Sequence, residues 1–178
     1  IEMLGRSLHA GVAQLLLAWL ENHGLLPAQG LRYGSGCSGV DAFAEAVDIR
    51  FPGQWTYVRA AEARPTVRRV LAAAWAHAGL SPDAIAHDET RAAQSSAPAL
   101  DLYVLTPECT HFSKRRHGRS ADSTAIGAVQ AHAVFNYVRK LRPRVVVIEN
   151  VADPEATATI NQITSGIKGD SRFTPDLD

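Results

Sequence analysis

The chain has 178 residues, enough for one domain with a substantial core. Its 18 basic and 18 acidic residues balance, so no global field draws it to nucleic acid and any such attraction must be local. Two cysteines exclude a disulfide framework and favour a reduced, cytoplasmic setting.

The longest apolar run, Val12 to Leu20, is too short to cross a bilayer and reads as a buried helix. The start lacks the charged segment and cleavage site of a secretory leader, so no membrane is expected. Opening on Ile1 rather than methionine reads as a processed or excerpted piece. There is no internal repeat and no low-complexity tract.

Ser7 is placed to cap a helix running to about Asn22, with Leu8, Val12, Leu15, Leu16 and Trp19 on one face and Gly24 past its end. A short strand near Leu31 meets "GSGCSG", Gly34 to Gly39. The next helix carries Val40, Phe43, Ala44 and Val47 at i, i+3, i+4 and i+7, a buried stripe, and "FPG" at Phe51 ends it. "WTYVRAAE" is a strand ending at Glu62. Pro65 opens a third helix with Val67, Val70, Leu71 and Trp75 as its apolar face and Gly79 as its stop.

"AIAHD", Ala84 to Asp88, is a short strand, and "LDLYVLT", Leu100 to Thr106, a firmer one. A fourth helix carries Ile126, Val129, Ala133, Tyr137 and Leu141. After Pro143, "RVVVIEN" is a continuous apolar strand of the kind covered on both faces. Strands alternating with helices imply an α/β fold: a doubly wound, mostly parallel sheet with helices on both faces. Residues 1–26 form a leading helix that packs on the sheet, 27–151 the core, and 152–178 an irregular tail in which no target-recognition region is found.

In open α/β sheets, ligands bind beyond the carboxyl ends of the strands. The unusual residues all fall there: the glycine turn, Glu62, Asp88, Cys109, and Glu149 with Asn150. A glycine turn between strand and helix admits a ligand to the backbone, although many such turns are only tight corners. An acid after the second strand suits a ribose diol; the alternative for Glu62 is an exposed acid beside Arg64. Asp88 can accept from an adenine amino group, and it is equally ordinary loop chemistry. Gly34, Gly36 and Gly39 lack the dinucleotide spacing. A ligand with a ribose but no pyrophosphate fits better, and S-adenosylmethionine is one. No metal is expected.

The order of "YGSGCSGVDAFAEA", "YVRAAEARPTVRRVL", "PECTHFS" and "PRVVVIENV" resembles the DNA cytosine-C5 methyltransferase family, from roughly Leu31 to Val151. The resemblance implies an S-adenosylmethionine-dependent, Rossmann-like methyltransferase fold. It implies that Cys109 attacks C6 of a flipped-out cytosine, that Glu149 holds or protonates N3, and that Asn150 braces the loop. It implies cofactor contacts from Ser35, Gly36, Cys37, Gly39, Glu62, Asp88, Pro107 and Ser7. Ser113, Lys114, Arg115, Arg116 and Arg119 would meet phosphates of double-stranded DNA, whereas by itself that run reads as a solvated loop.

The sequence departs from the family pattern at several places. Glu108 separates Pro107 from Cys109, and its carboxylate opposes thiolate formation unless the basic run compensates it. Thr110 replaces a glutamine, Ser38 a glycine, and Gly34 stands where an aromatic packs on the adenine. The family's last motif follows its cysteine and Glu-Asn motifs, but here "MLGRSLHAGVAQLLLAWL" at the start resembles it, with Arg6 for its asparagine. That order implies a circular permutation, with target recognition supplied by a second chain or another segment. Two other readings stay open: an RNA (tRNA) cytosine-C5 methyltransferase, and a non-catalytic cofactor-binding or assembly subunit.

Overall fold

The computed structural model describes residues 10–87, 99–106, 136–140 and 142–150, with 157–158, 160–161 and 164–165 beyond them. Helix α1 (Ala10–Asn22) precedes strand β1 (Leu31–Gly36). Helix α2 (Ala42–Arg50) leads to β2 (Trp55–Ala61), and α3 (Pro65–Trp75), through short 3-10 turns, to β3 (Ile85–Ala86). Strand β4 (Leu102–Leu105), a helical segment α4 at 136–140, and β5 (Val145–Ile148) complete the described elements.

The five strands are parallel in the order β3-β2-β1-β4-β5, the doubly wound arrangement the sequence predicts. Period-two alternation sorts their side chains to two faces. Tyr33, Trp55, Tyr57, Leu102 and Val104 face a core shared with Leu17 of α1, Phe43 and Val47 of α2, and Leu71 and Trp75 of α3. Tyr103 and Leu105 face the opposite way, onto Tyr137 and Val138 of α4. The first core is aromatic: Tyr33 meets Tyr57 edge-on at 4.9 Å between centroids, and Trp55 meets Trp75 at 5.7 Å. Edge-to-face pairs of this kind add about 0.5–1.5 kcal/mol each beyond area burial.

Four sequence expectations change. The α1 stripe is rotated: Val12, Leu15 and Trp19 are 53%, 74% and 51% exposed, while Ala13, Leu17 and Leu20 are buried. This helix is apolar on nearly every side, so periodicity alone does not choose the buried face. In α3, Val67, Leu71 and Trp75 are buried but Val70 is exposed, since it lies outside that stripe, roughly 60° around the helix from Val67. Strand β5 is half-buried at every position because it pairs only with β4 among the described residues. The tail is not wholly irregular. Residues 157–158, 160–161 and 164–165 are helical, and the Thr164 hydroxyl donates back to the Ile160 carbonyl at 3.0 Å. No helix among the described residues is long and apolar enough to cross a membrane.

Candidate active site at the carboxyl edge of the sheet

The chain leaves β1 at Gly36 and turns through Cys37, Gly39 and Asp41, all at positive φ (52°, 57° and 59°). Space beyond Gly39 is open, with no atom within 4 Å of an added Cβ. Gly36 ends the strand, paired with Ala61 on one side and Leu105 on the other. Asp41 then caps α2, its carboxylate accepting the Ala44 N–H at 3.0 Å. A helix N-terminus therefore begins directly behind the turn, with its amide dipoles pointing outward.

Glu62 lies one residue beyond β2 and is only 4% exposed. Its Oε2 accepts the Gly39 N–H at 2.9 Å, which stitches the end of β2 to the glycine turn. Its Oε1 accepts both the Arg64 N–H (2.9 Å) and Arg64 Nε (2.8 Å). Burial raises the Glu62 pKa, but the hydrogen bonds from Arg64 and Gly39 outweigh it and hold the carboxylate below its ordinary value. Glu62 is thus a buried, ionised acceptor. The sequence alternative of a simple Arg64 pair is half right: the pair exists, but the acid is not exposed.

The end of β4 is tied to the same turn. The Thr106 N–H donates to the Gly36 carbonyl and its hydroxyl to the Cys37 carbonyl, both at 3.2 Å. Cys37 itself is half-buried and packs against the second core. One strand over, the Glu149 N–H donates to the Leu105 carbonyl at 2.9 Å. Burial raises the Glu149 carboxyl above its ordinary value. Glu149 and the neighbouring Asn150 are both half-buried. The turn, Glu62, Thr106 and Glu149 are linked strand to strand along one edge.

Of the sequence-predicted site residues, Ser35, Gly36, Cys37, Gly39, Glu62, Glu149 and Asn150 are described at this edge. Ser7, Asp88, Pro107, Cys109, Ser113, Lys114, Arg115, Arg116 and Arg119 lie outside the described residues. Ser35 does not sit on an open ligand surface. It is 3% exposed, and its hydroxyl meets those of Ser38 (2.6 Å) and Tyr57 beneath the turn. Its inward direction follows from strand alternation with Tyr33. Gly34 is likewise buried within β1, and an added Cβ would stand 2.8 Å from Leu100 Cδ1. It serves close packing of β1 against its neighbours.

Sequence reasoning missed Asp41, Tyr33 and Tyr57. The Tyr33 and Tyr57 hydroxyls both reach the Asp41 carboxyl. An available signal was Asp41 between the glycine turn and Phe43 and Ala44, the ordinary place for an N-cap.

No protein-family model matches the sequence, and no curated protein does. Solved structures do. S-adenosylmethionine-bound CalS10, an amino pentose methyltransferase from Micromonospora echinaspora involved in calicheamicin biosynthesis, superposes with a TM-score of 0.53 at 20% identity. The match covers 85% of this chain and 55% of that one. DesVI of Streptomyces venezuelae matches at 17% identity and a TM-score of 0.46, over 82% of this chain and 52% of its own. The chain spans about half the length of these structures. The CalS10 likeness shows the Rossmann-like fold of S-adenosylmethionine-dependent methyltransferases.

Proposed function

We propose that the chain is the catalytic core of an S-adenosylmethionine-dependent DNA cytosine-C5 methyltransferase. The observation that carries this reading is the linked edge: the cofactor-type turn, the buried carboxylate Glu62 and the elevated carboxyl Glu149 flank the end of β4. Cys109 follows that strand by four residues in the sequence.

The described residues fit the cofactor. The open face at Gly39 admits a ligand to the backbone, and Glu62 is an ionised acceptor suited to a ribose hydroxyl. Gly36, Cys37 and Gly39 would line the same turn, with Asp88, Pro107 and Ser7 completing the site. When bound, S-adenosylmethionine supplies an electrophilic methyl group on a sulfonium.

The protein's own groups prepare the other reactant. The Cys109 thiolate adds to C6 of the cytosine, forming an S–C6 bond, while N3 takes up a proton from Glu149. The electron pair released into the ring makes C5 nucleophilic. Once C5 is methylated, loss of its proton to a base reforms the C5–C6 double bond, breaks the S–C6 bond and frees the thiolate, and N3 returns its proton to Glu149. A carboxyl with an elevated pKa is suited to hold that N3 proton near neutrality. A stacked base hides its C6 face, so the cytosine must swing out of the duplex. Ser113, Lys114, Arg115, Arg116 and Arg119 would then hold the flanking phosphates. Target recognition would come from a second chain or a further segment.

The test is transfer of a labelled methyl group to duplex DNA, with tRNA in a parallel reaction. Label at C5 of cytosine in DNA is expected, together with at least tenfold weaker S-adenosylmethionine binding by Glu62→Ala, about 1.4 kcal/mol. Label in tRNA alone would move the substrate to RNA. Unchanged affinity in Glu62→Ala would remove that residue from the cofactor site.

A further inference from the structure

The Glu62 carboxylate is held by donors of two kinds. Two are main-chain groups: the Gly39 N–H on Oε2 and the Arg64 N–H on Oε1, each at 2.9 Å. The others belong to one guanidinium: Arg64 Nε on Oε1 at 2.8 Å and Nη2 on Oε2 at 3.4 Å. A carboxylate offers about four lone-pair directions, so both oxygens are filled. The Glu62 side chain is 5% exposed, whereas that of Arg64, bonded across it, is 56% exposed. While the guanidinium stays in place, a ligand hydroxyl finds no unused lone pair on this acid and little of its surface.

The main chain around the acid is fixed. Arg64 is the N-cap of α3, and its carbonyl accepts the Arg68 N–H at 3.0 Å. Arg68 Nη1 reaches back to the carbonyls of Glu62 (2.9 Å) and Ala63 (2.6 Å), which staples the end of β2 to the helix. The Glu62 N–H donates to the Ala86 carbonyl at 3.0 Å. Moving the Arg64 N–H would break several of these bonds together. Withdrawing the guanidinium needs only a side-chain rotation at the surface, and ion pairs open to solvent on one side cost little to separate.

The fork also defines what can replace it. Nε and Nη2 present two N–H donors side by side, one to each carboxylate oxygen. Hydroxyls on neighbouring carbons present two O–H donors in the same way. A ligand with a single hydroxyl breaks two bonds and makes one, which leaves a buried acceptor unsatisfied.

We infer that the Arg64 guanidinium holds the place of a vicinal diol on Glu62, and that a ribonucleoside binds by exchanging its two ribose hydroxyls for Arg64 Nε and Nη2. The bonds from the Gly39 and Arg64 N–H groups are kept through the exchange, and the carboxylate stays ionised. Arg64 is thus a specificity-determining residue, because its competition penalises ligands that lack either hydroxyl. That the ribonucleoside is S-adenosylmethionine rests on the function proposed above; the exchange at Glu62 does not.

The exchange is read from the Arg64 Nε–H resonance of the isotope-labelled full chain, assigned by its loss in Arg64→Lys. S-adenosylhomocysteine and adenosine carry the diol, and 2′-deoxyadenosine lacks one hydroxyl. Both diol ligands are expected to move the resonance to the position of solvent-exposed arginines. At the same concentration 2′-deoxyadenosine is expected to leave it in place. In a calorimetric titration, Arg64→Ala, which keeps the main-chain N–H, should bind the diol ligands about threefold tighter than wild type, the modest gain expected from removing an exposed competitor.

A resonance that stays put while wild type binds either diol ligand overturns the inference, as does one moved equally by 2′-deoxyadenosine. Unchanged or weaker binding by Arg64→Ala overturns it too. If adenosine moves the resonance but S-adenosylhomocysteine does not bind, the exchange stands and the cofactor reading falls. Binding of neither diol ligand overturns both.

Discussion

A Cβ placed on Gly34 would stand 2.8 Å from Leu100 Cδ1 and 3.3 Å from the Arg59 carbonyl. The Leu100 methyl can turn aside, but the backbone carbonyl of the neighbouring strand cannot. Gly34→Ala should therefore cost about 1–3 kcal/mol of overpacking, read as a lower midpoint in thermal or urea unfolding. An unchanged midpoint would mean that β1 and β2 sit farther apart at this register. The sequence displays Gly34 as one glycine among three, and only the strand pairing separates its packing role from the turn role of Gly39. Glu62 was legible because position alone, one residue past a strand, gives it chemical meaning. Its bond to the Gly39 N–H was not, since that contact joins residues 23 apart in the chain. The Asp41 network was hidden for the same reason. It draws residues from β1, the turn and β2, and no local pattern connects them.

Among the elements, β1 to β5 and the three leading helices fall close to their expected places, because strand runs and helix stops are local signals. The orientation of α1 did not follow. Ala13, Leu17 and Leu20 recur at i, i+4 and i+7, and so do Leu8, Val12, Leu15 and Trp19 on the opposite side. Both stripes satisfy helical periodicity, and contact with α2 and the sheet decides between them. Leu17→Ala should consequently cost about 2–5 kcal/mol, whereas Leu15→Ala should change stability by no more than about 0.5 kcal/mol. Equal losses in urea unfolding would mean that both faces of α1 are covered in solution. At the opposite edge from the site, Arg32 holds Asp101 through its backbone N–H (2.8 Å), Nε (3.0 Å) and Nη2 (2.9 Å). These bonds fix the start of β4 against β1, and the Arg32 hydrogen bonds keep the Asp101 carboxylate below its ordinary value.

On the scale of the molecule, two cores on opposite faces of one parallel sheet hold the strand ends in register. The aromatic core under α2 and α3 supports the glycine turn from below through Tyr33 and Tyr57. Hydrogen bonds from Thr106 to Gly36 and from Glu149 to Leu105 carry that register across to β5. This arrangement brings the glycine turn, Glu62 and the Glu149–Asn150 pair to a single edge. The doubly wound architecture was legible in the sequence because strand–helix alternation admits few topologies. What covers β5 was not, because an apolar run looks the same whether one neighbouring strand follows or two.

The proposed function requires Cys109 to form a covalent bond to cytosine C6. It is tested by incubating the chain with S-adenosylmethionine and duplex DNA containing 5-fluorocytosine, in which fluorine replaces the proton that must leave C5. A protein–DNA adduct that survives denaturation, and that Cys109→Ser abolishes, is the predicted result. Cofactor binding without any adduct on DNA would exclude Cys109 as the nucleophile toward cytosine.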